Sequence, residues 1–174
     1  MSRLTWLIDA VLKVLITVVF GLLVICVTWQ VFTRYALGAP STITDELARF
    51  LFMWVALFGA AYTLGQRRHL AIDLLSIYLE GARKRALQLF VILAIAGFAA
   101  VVMVYGGTQL AMKTLATGQV SPALRLPMGY VYCAIPASGL VILYYCLAFA
   151  HDLFVGEGQG ADPESDVRPG GPLS

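Results

Sequence analysis

The stretch that decides the fold lies near the start of the chain, where residues 8–32 read IDAVLKVLITVVFGLLVICVTWQVF. A helix rises about 1.5 Å per residue, so about 20 apolar residues cross the roughly 30 Å hydrocarbon core of a bilayer. Three further apolar stretches follow at 47–65, 86–112 and 129–150, and most charged residues lie in the joints between them. The sequence therefore predicts four transmembrane helices.

The composition supports an integral membrane protein. Hydrophobic residues make up 60% of the chain, charged residues 13%, and the mean hydropathy is +0.82. Such a chain has too little polar surface for a water-soluble domain. Strands of a membrane β-barrel alternate polar and apolar residues over about ten positions, whereas these runs are continuous. The predicted fold class is all-α, with helices over about 8–34, 45–66, 86–112 and 128–151 in one transmembrane domain of residues 1–155.

The basic residues predict the orientation of the helices. Eight of the twelve Lys and Arg residues lie at the N-terminus, in the second loop and in the tail, which places both termini and that loop in the cytoplasm. Within the second loop, residues 70–80 form a short amphipathic stretch, predicted to be a helix in the membrane interface. The tail, residues 156–174, is rich in Gly, Pro and acidic residues and is predicted to be disordered.

The first loop carries the main candidate site. Thr42, followed three residues later by Asp45, has the spacing of a capping box and predicts the start of the second helix. Asp45 and Glu46 precede Arg49 by four and three residues, so both carboxylates are predicted to reach its guanidinium. We interpret these three residues as a structural cluster of paired charges or as a docking site for a partner protein. A proton or ion relay is the alternative. Arg34 is predicted to join the cluster or to anchor in the headgroups.

The other joints carry weaker signals. In the second loop, the predicted cytoplasmic turn involves His69 and Asp73. The basic residues around it are predicted to meet anionic headgroups: Arg67, Arg68, Arg83, Lys84 and Arg85. In the third loop, Pro122 and Pro127 predict a stiff, extended outer segment that begins at Ser121.

Inside the helices, two kinds of residue bear on packing. Pro136 is predicted to kink the fourth helix or to be satisfied by its neighbours. Small residues such as Gly59, Gly97 and Gly107 predict close contacts between helices.

The sequence predicts no cofactor, no metal and no catalytic residue. Haem in a helical bundle is held between histidines inside the bundle, whereas His69 and His151 lie at the predicted aqueous boundary. The three cysteines form no CxxC pair and are interpreted as small apolar residues.

Several joints together resemble one family. The matching features, in chain order, are WQVFTRY at 29–35, ELARF at 46–50, Trp54, Gly59, HLAID at 69–73, SPAL at 121–124, Pro127, Tyr132 and Pro136. On these residues the chain resembles DctQ, the small membrane subunit of tripartite ATP-independent periplasmic (TRAP) transporters. The resemblance covers nearly the whole chain up to residue 154.

The resemblance implies a protein complex of the bacterial or archaeal inner membrane. It implies no nucleic-acid partner. Its partners would be a large, DctM-like membrane subunit, a DctP-like periplasmic substrate-binding protein and membrane lipids. The binding protein would capture an organic acid, and the large subunit would move it with a cation gradient, usually of sodium. Because no predicted helix is charged at its middle or broken, we expect this chain to be a scaffold rather than the transport path.

Two alternatives remain open. A self-sufficient small multidrug-type transporter has four helices but needs a carboxylate embedded in the membrane. A membrane anchor of a respiratory enzyme has the right number of helices but needs histidines that face inward.

Overall fold

We describe the protein from a computed structural model, which covers residues 3–39, 41–66 and 82–155. Within these ranges the secondary structure is helical, apart from one antiparallel bridge between Val120 and Pro127. Four stretches are long and apolar enough to cross a membrane: Thr5–Ala36, Thr42–Gly65, Ala86–Ala116 and Met128–His151. The predicted all-α fold with four spans is confirmed.

The helices extend beyond the apolar runs that predicted them. The first two are α1 (Arg3–Ala36) and α2 (Thr42–Gly65). The third span comprises α3 (Ala82–Phe98), the π-helix π1 (Ala99–Gly106) and α4 (Gly107–Ala116), and the fourth comprises α5 (Met128–Tyr132) and α6 (Ala134–Val155). Hydropathy detects only the part of a helix suited to hydrocarbon, so the polar residues at the helix ends fell outside the predicted bounds.

The third span is continuous but changes its winding at the middle. Residues 99–106 read AAVVMVYG and form the π-helix, which packs against α6. Its polar backbone groups remain inside a helix, and its side chains offer no charge. The widened turn therefore does not create the kind of unwound, polar segment that holds ions or substrates in transporters.

The winding of the fourth span is disturbed one turn before Pro136. Proline has no N–H and cannot bond to the carbonyl four residues earlier, here that of Tyr132. One helical hydrogen bond is therefore missing between α5 and α6, but Cys133 keeps a helical backbone, and the Ala137 N–H donates to the Cys133 carbonyl at 3.2 Å. The predicted disturbance by Pro136 is thus local, and the fourth span continues through it.

The spans pack with α6 in a central position. α1 lies along α2, α2 also contacts α6, and the third span contacts α6 mainly through π1. One buried cluster lies between α2, π1 and α6, and includes Ala61, Ala99 and Cys146. A second lies between α1, α2 and α6, and includes Leu12 and Tyr145. Most of the apolar surface of α1 remains exposed, as a membrane environment allows.

Glycines allow close helix contact at some of the predicted positions. A Cβ on Gly107 would lie 2.8 Å from Ile135, and one on Gly139 would lie 2.7 Å from Met103, so the third span approaches α6 closely there. Gly59 and Gly97 have nothing within 4 Å. The prediction of close contact is therefore correct for Gly107 and wrong within this chain for the other two.

Candidate functional site at the loop end

Polar side chains gather at both ends of the bundle. We call the end with residues 34–49 and 113–130 the loop end, and the end with residues 3–13, 62–66 and 144–151 the terminal end. The predicted cluster of Asp45, Glu46 and Arg49 lies at the loop end, in the first two turns of α2.

Ser41, rather than Thr42, caps α2. Its backbone is extended, with φ −81° and ψ 108°, and its Oγ accepts a hydrogen bond from the Thr44 N–H at 3.4 Å. A cap bonds to the second or third helical N–H, and the helix begins at Thr42, so the cap stands one residue earlier than predicted. The capping box of Thr42 and Asp45 is therefore wrong.

Asp45 joins α1 to α2. One carboxylate oxygen accepts a hydrogen bond from Gln30 Nε2 on α1 at 2.6 Å, and the other pairs with Arg49. The predicted pair of Asp45 and Arg49 is present. Arg49 is 74% exposed, so the ion pair itself adds little stability, and the bond to Gln30 is what ties the two helices.

Glu46 turns away from Arg49 and holds the third loop. Its Oε2 accepts hydrogen bonds from the Ala123 N–H at 2.8 Å and the Leu124 N–H at 3.0 Å. Arg49 pairs with Asp45 and makes no ion pair with Glu46 in the described part of the chain. Successive helical residues point about 100° apart, so Asp45 faces α1 and Glu46 faces the loop. The prediction that both carboxylates bond to Arg49 is correct for Asp45 only.

The third loop is compact rather than extended. The Met128 N–H bonds to the Gln119 carbonyl at 2.9 Å and closes the base, and the Ser121 N–H bonds to the Leu126 carbonyl at 2.9 Å. Ser121 is 1% exposed, and its Oγ accepts from the Leu124 N–H at 3.3 Å. Pro127 precedes α5 in an extended conformation, and Pro122 is exposed. We call residues 119–128 the outer loop, and the predicted extended shape is wrong because its backbone bonds to itself and to Glu46.

The remaining cations of the loop end stand apart from this cluster. Arg34, Lys113 and Arg125 are exposed. In the described part of the chain, an ion pair is found for Arg49 with Asp45 but for none of these three. The structure thus brings Asp45, Arg49, Glu46 and Ser121 together and leaves Arg34 outside.

At the terminal end, a second polar junction was missed by the sequence analysis. The Tyr145 hydroxyl donates to Asp9 on α1, and Thr5 Oγ1 lies 3.1 Å from the Tyr144 hydroxyl. Tyr145 is 1% exposed, and its ring fills the space in which Gly65 would carry a Cβ. The available signal was an acidic residue inside an apolar helix, which needs a partner at that depth.

Several predictions concern residues outside the described ranges, and others concern residues of which only the helical backbone is described. The interfacial helix, His69, Asp73, Arg67 and Arg68 lie in the range 67–81, and the tail lies beyond residue 155. The basic run Arg83, Lys84 and Arg85 lies in the first turn of α3.

Sequence comparisons relate the chain to one family of known proteins. A sequence model described as "Tripartite ATP-independent periplasmic transporters, DctQ component" matches residues 23–156. The chain is 31% identical over 146 residues to the C4-dicarboxylate TRAP transporter small permease protein DctQ of Rhodobacter capsulatus, a match of 75% of this chain and 64% of that protein. It is 30% identical over 95 residues to the sialic acid TRAP transporter small permease protein SiaQ of Vibrio cholerae, a match of 55% of each chain.

A third relative is a putative TRAP transporter small permease protein of Haemophilus influenzae, which is 31% identical over 75 residues, 43% of this chain and 47% of that protein. The matches therefore span less than two thirds of the length of each relative.

Proposed function

Because the chain belongs to the DctQ family of tripartite ATP-independent periplasmic transporter components, we propose that it is the scaffold that holds the large membrane subunit during uptake of an organic acid. The family and the four candidate spans make it a multi-pass protein of the bacterial inner membrane. Under this proposal the large subunit provides the path and is coupled to a cation gradient, and a periplasmic binding protein delivers the substrate.

The position of the polar groups carries the proposal. Where the structure describes the four spans, charged side chains lie near the helix ends, and the middles are apolar. Substrate and ion sites of transporters need polar groups or unwound helices near the midplane. Here the carboxylates of Asp45, Glu46 and Asp9 instead accept hydrogen bonds that fasten one element of the bundle to another. Hydrogen bonds that hold the helices and the outer loop together in this way are expected in a rigid scaffold subunit.

The exposed surface is consistent with a membrane partner. α1 presents large apolar side chains along its length, among them Val11, Val18 and Ile25. Only 6% of its most apolar stretch of 18 residues is buried. Such a face can meet lipid or the helices of a larger subunit without an energetic penalty. We further propose that the loop end faces the periplasm, on the basis of the excess of Lys and Arg at the opposite side.

The organic-acid substrate follows from the names of the relatives. One is a C4-dicarboxylate transporter subunit and another a sialic acid transporter subunit, and both ligands carry a carboxylate. Sodium is the proposed coupling ion. Uptake of a labelled carboxylate by cells that express all three proteins should depend on an inward sodium gradient, and uptake driven equally well by a proton gradient alone would contradict this choice.

Purification from its native membrane tests the scaffold role. The tagged chain, extracted in mild detergent, should bring down a very hydrophobic multi-helix permease in a fixed ratio, identified by mass spectrometry. Arg49→Ala should lower the yield of this complex or its uptake more than Arg168→Ala, which removes one positive charge from the tail. Recovery of the chain alone, or equal yield and uptake of the two variants, would contradict the proposal and its site.

Orientation has a separate test. In a variant without the native cysteines, the substitution Lys113→Cys should give a thiol that reacts with a membrane-impermeant reagent added to intact spheroplasts. Reaction only after the membrane is opened would place the loop end in the cytoplasm.

A further inference from the structure

Two irregular points of helix winding lie side by side, at one level of the bundle. In the third span, π1 ends at Gly106 and α4 begins at Gly107. In the fourth span, Pro136 leaves the Tyr132 carbonyl without its helical N–H. The two points are in contact, because a Cβ on Gly107 would lie 3.0 Å from Cδ of Pro136. Both helices are therefore weakened at the same level.

The junction between π1 and α4 has an adaptable hydrogen bond. The Gly107 N–H is directed at the carbonyls of Val102, Met103 and Val104, which are its partners in π, α and 3₁₀ winding respectively. Such a bond can pass from one acceptor to the next without being lost. Gly106 and Gly107 also favour bending, since glycine is less favourable in a helix than alanine by about 1 kcal/mol. The third span can thus change direction here at low energetic cost.

Beyond this level, α4, the outer loop and α5 form one compact body, residues 107–132, which we call the outer hairpin. Its two helices contact each other more than either contacts α6. Gly129 lies against the Leu115 side chain with no room for a Cβ. The Met128 N–H donates to the Gln119 carbonyl at 2.9 Å and closes the base of the loop. These contacts hold the outer hairpin together independently of the rest of the bundle.

The outer hairpin is fastened to α2 by hydrogen bonds of two α2 side chains. Trp54 Nε1 donates to the Val131 carbonyl at 3.2 Å. Glu46 Oε2 accepts from the N–H groups of Ala123 and Leu124. These two N–H groups lie in the outer loop, further along the hairpin from Pro136 than Val131 does. The bonds of Glu46 therefore resist a tilt of the hairpin with the longer lever.

We propose that the outer hairpin is a hinged unit that pivots about the contact between Gly107 and Pro136, and that Glu46 is the latch that holds it against α2. A bend in one helix alone would be resisted by its neighbour, whereas two weak points at one level let both helices tilt together. The buried cluster that includes Ala99 and Cys146 lies on the terminal side of the hinge and keeps its packing during the tilt. The inference goes beyond the scaffold role, and its test needs no partner protein.

Distances between two spin labels test the hinge in the full chain, reconstituted in phosphatidylcholine nanodiscs. In a variant without the native cysteines, one label is attached at Ala116→Cys, at the end of α4, and the other at Phe52→Cys on α2. Both positions are exposed. A tilt of about 20–30° at Gly107 moves the end of α4, about 13 Å away, by about 5–7 Å. Double electron–electron resonance should show one narrow distance distribution, which Glu46→Ala shifts or widens by about 5 Å.

Two substitutions that stiffen the hinge should reverse this change in the Glu46→Ala variant. Gly106→Ala favours regular helix, and its Cβ would meet nothing nearer than 3.5 Å. Pro136→Ala restores an N–H for the Tyr132 carbonyl. The matched control is Gly97→Ala in the same span, where nothing lies within 4 Å of the Cβ position, and it should leave the distribution wide.

A second pair of labels, at Phe52→Cys and at Phe90→Cys on α3, reports on parts of the molecule that stay fixed. Its distance distribution should be the same with and without Glu46→Ala. A change in this pair as large as that at Ala116 would mean that the whole bundle loosens, and would overturn the inference.

Three other results would also contradict the hinge. An unchanged distribution for the Ala116 label in Glu46→Ala would show that Glu46 does not hold the hairpin. Widening that neither Gly106→Ala nor Pro136→Ala reduces would show that the motion does not arise at the hinge. Equal narrowing by Gly97→Ala would show that stiffening anywhere in the third span has the same effect.

Discussion

The loop end and the terminal end both use carboxylates to join helices or loops, but Glu46 at the loop end and Asp9 at the terminal end do so differently. At the loop end, Glu46 binds two backbone N–H groups of the outer loop. At the terminal end, Asp9 binds the hydroxyl of Tyr145, whose ring lies against Gly65 with no room for a Cβ. The first junction depends on a hydrogen-bond acceptor, and the second depends on shape as well.

This difference suggests a division of roles. Backbone groups of a loop can be held by one acceptor while the neighbouring side chains remain free to contact a partner. A ring packed into the space above a glycine leaves no such freedom. The loop end is thus suited to recognition, and the terminal end to fixing α1, α2 and α6 to one another.

The largest expected effect is that of Gly65→Val at the terminal end. The added side chain would overlap the Tyr145 ring, and overpacking of this kind costs about 1–3 kcal/mol or more. Thermal unfolding of the purified chain in detergent should show the loss. Gly59→Val on the same helix is the control, since nothing lies within 4 Å of its Cβ position. Equal stability of the two variants would show that the ring does not pack as described.

Asp9→Leu should come next. The buried Tyr145 hydroxyl would lose its acceptor, which costs about 1–2 kcal/mol. Asp9→Asn keeps an oxygen acceptor and should cost about half as much or less. Denaturant unfolding of both variants, with Tyr145→Phe to complete a double-mutant cycle, measures the coupling. If Asn proves as harmful as Leu, the negative charge is essential, and an ionic role for Asp9 would replace the structural one.

At the loop end, Glu46→Ala should release the outer loop without unfolding the bundle. Amide hydrogen exchange at Ala123 and Leu124 should accelerate by about tenfold, because both N–H groups lose their acceptor. Glu46→Gln keeps an acceptor oxygen and should show a smaller change. If amide hydrogen exchange in Glu46→Ala accelerated in all four helices, this junction would support the whole fold, as the terminal one does.

Ser41→Ala should have a smaller effect, about 1 kcal/mol, through loss of the α2 cap. Thr42→Ala, one residue later, should be nearly neutral, and thermal unfolding can compare the two. The reverse order would restore Thr42 as the capping residue.

Arg49→Ala should have the smallest effect on the stability of the chain alone, below about 0.5 kcal/mol, because its ion pair is exposed. Its effect on complex assembly should be larger. A large loss of stability in the isolated chain would show that the loop end serves the fold rather than a partner.

The sequence predicted the loop end better than the terminal end for a physical reason. Charges near a helix start are conspicuous against apolar runs, so Asp45, Glu46 and Arg49 stood out. The direction of Glu46 could not be derived, because it depends on a backbone N–H group 77 residues further along, in a loop that folds back onto α2. The Asp9 junction depends on the relative rotation of α1 and α6, which hydropathy does not encode. Capping by Ser41 was missed by one residue, a normal uncertainty at a helix end.

Reconstitution of transport tests the central claim most directly. Proteoliposomes containing the large subunit, with the binding protein and labelled substrate outside, would be assayed with and without this chain. The account predicts strong uptake only when both membrane subunits are present, and none with this chain alone. Uptake by this chain alone, or full uptake by the large subunit without it, would contradict a scaffold role.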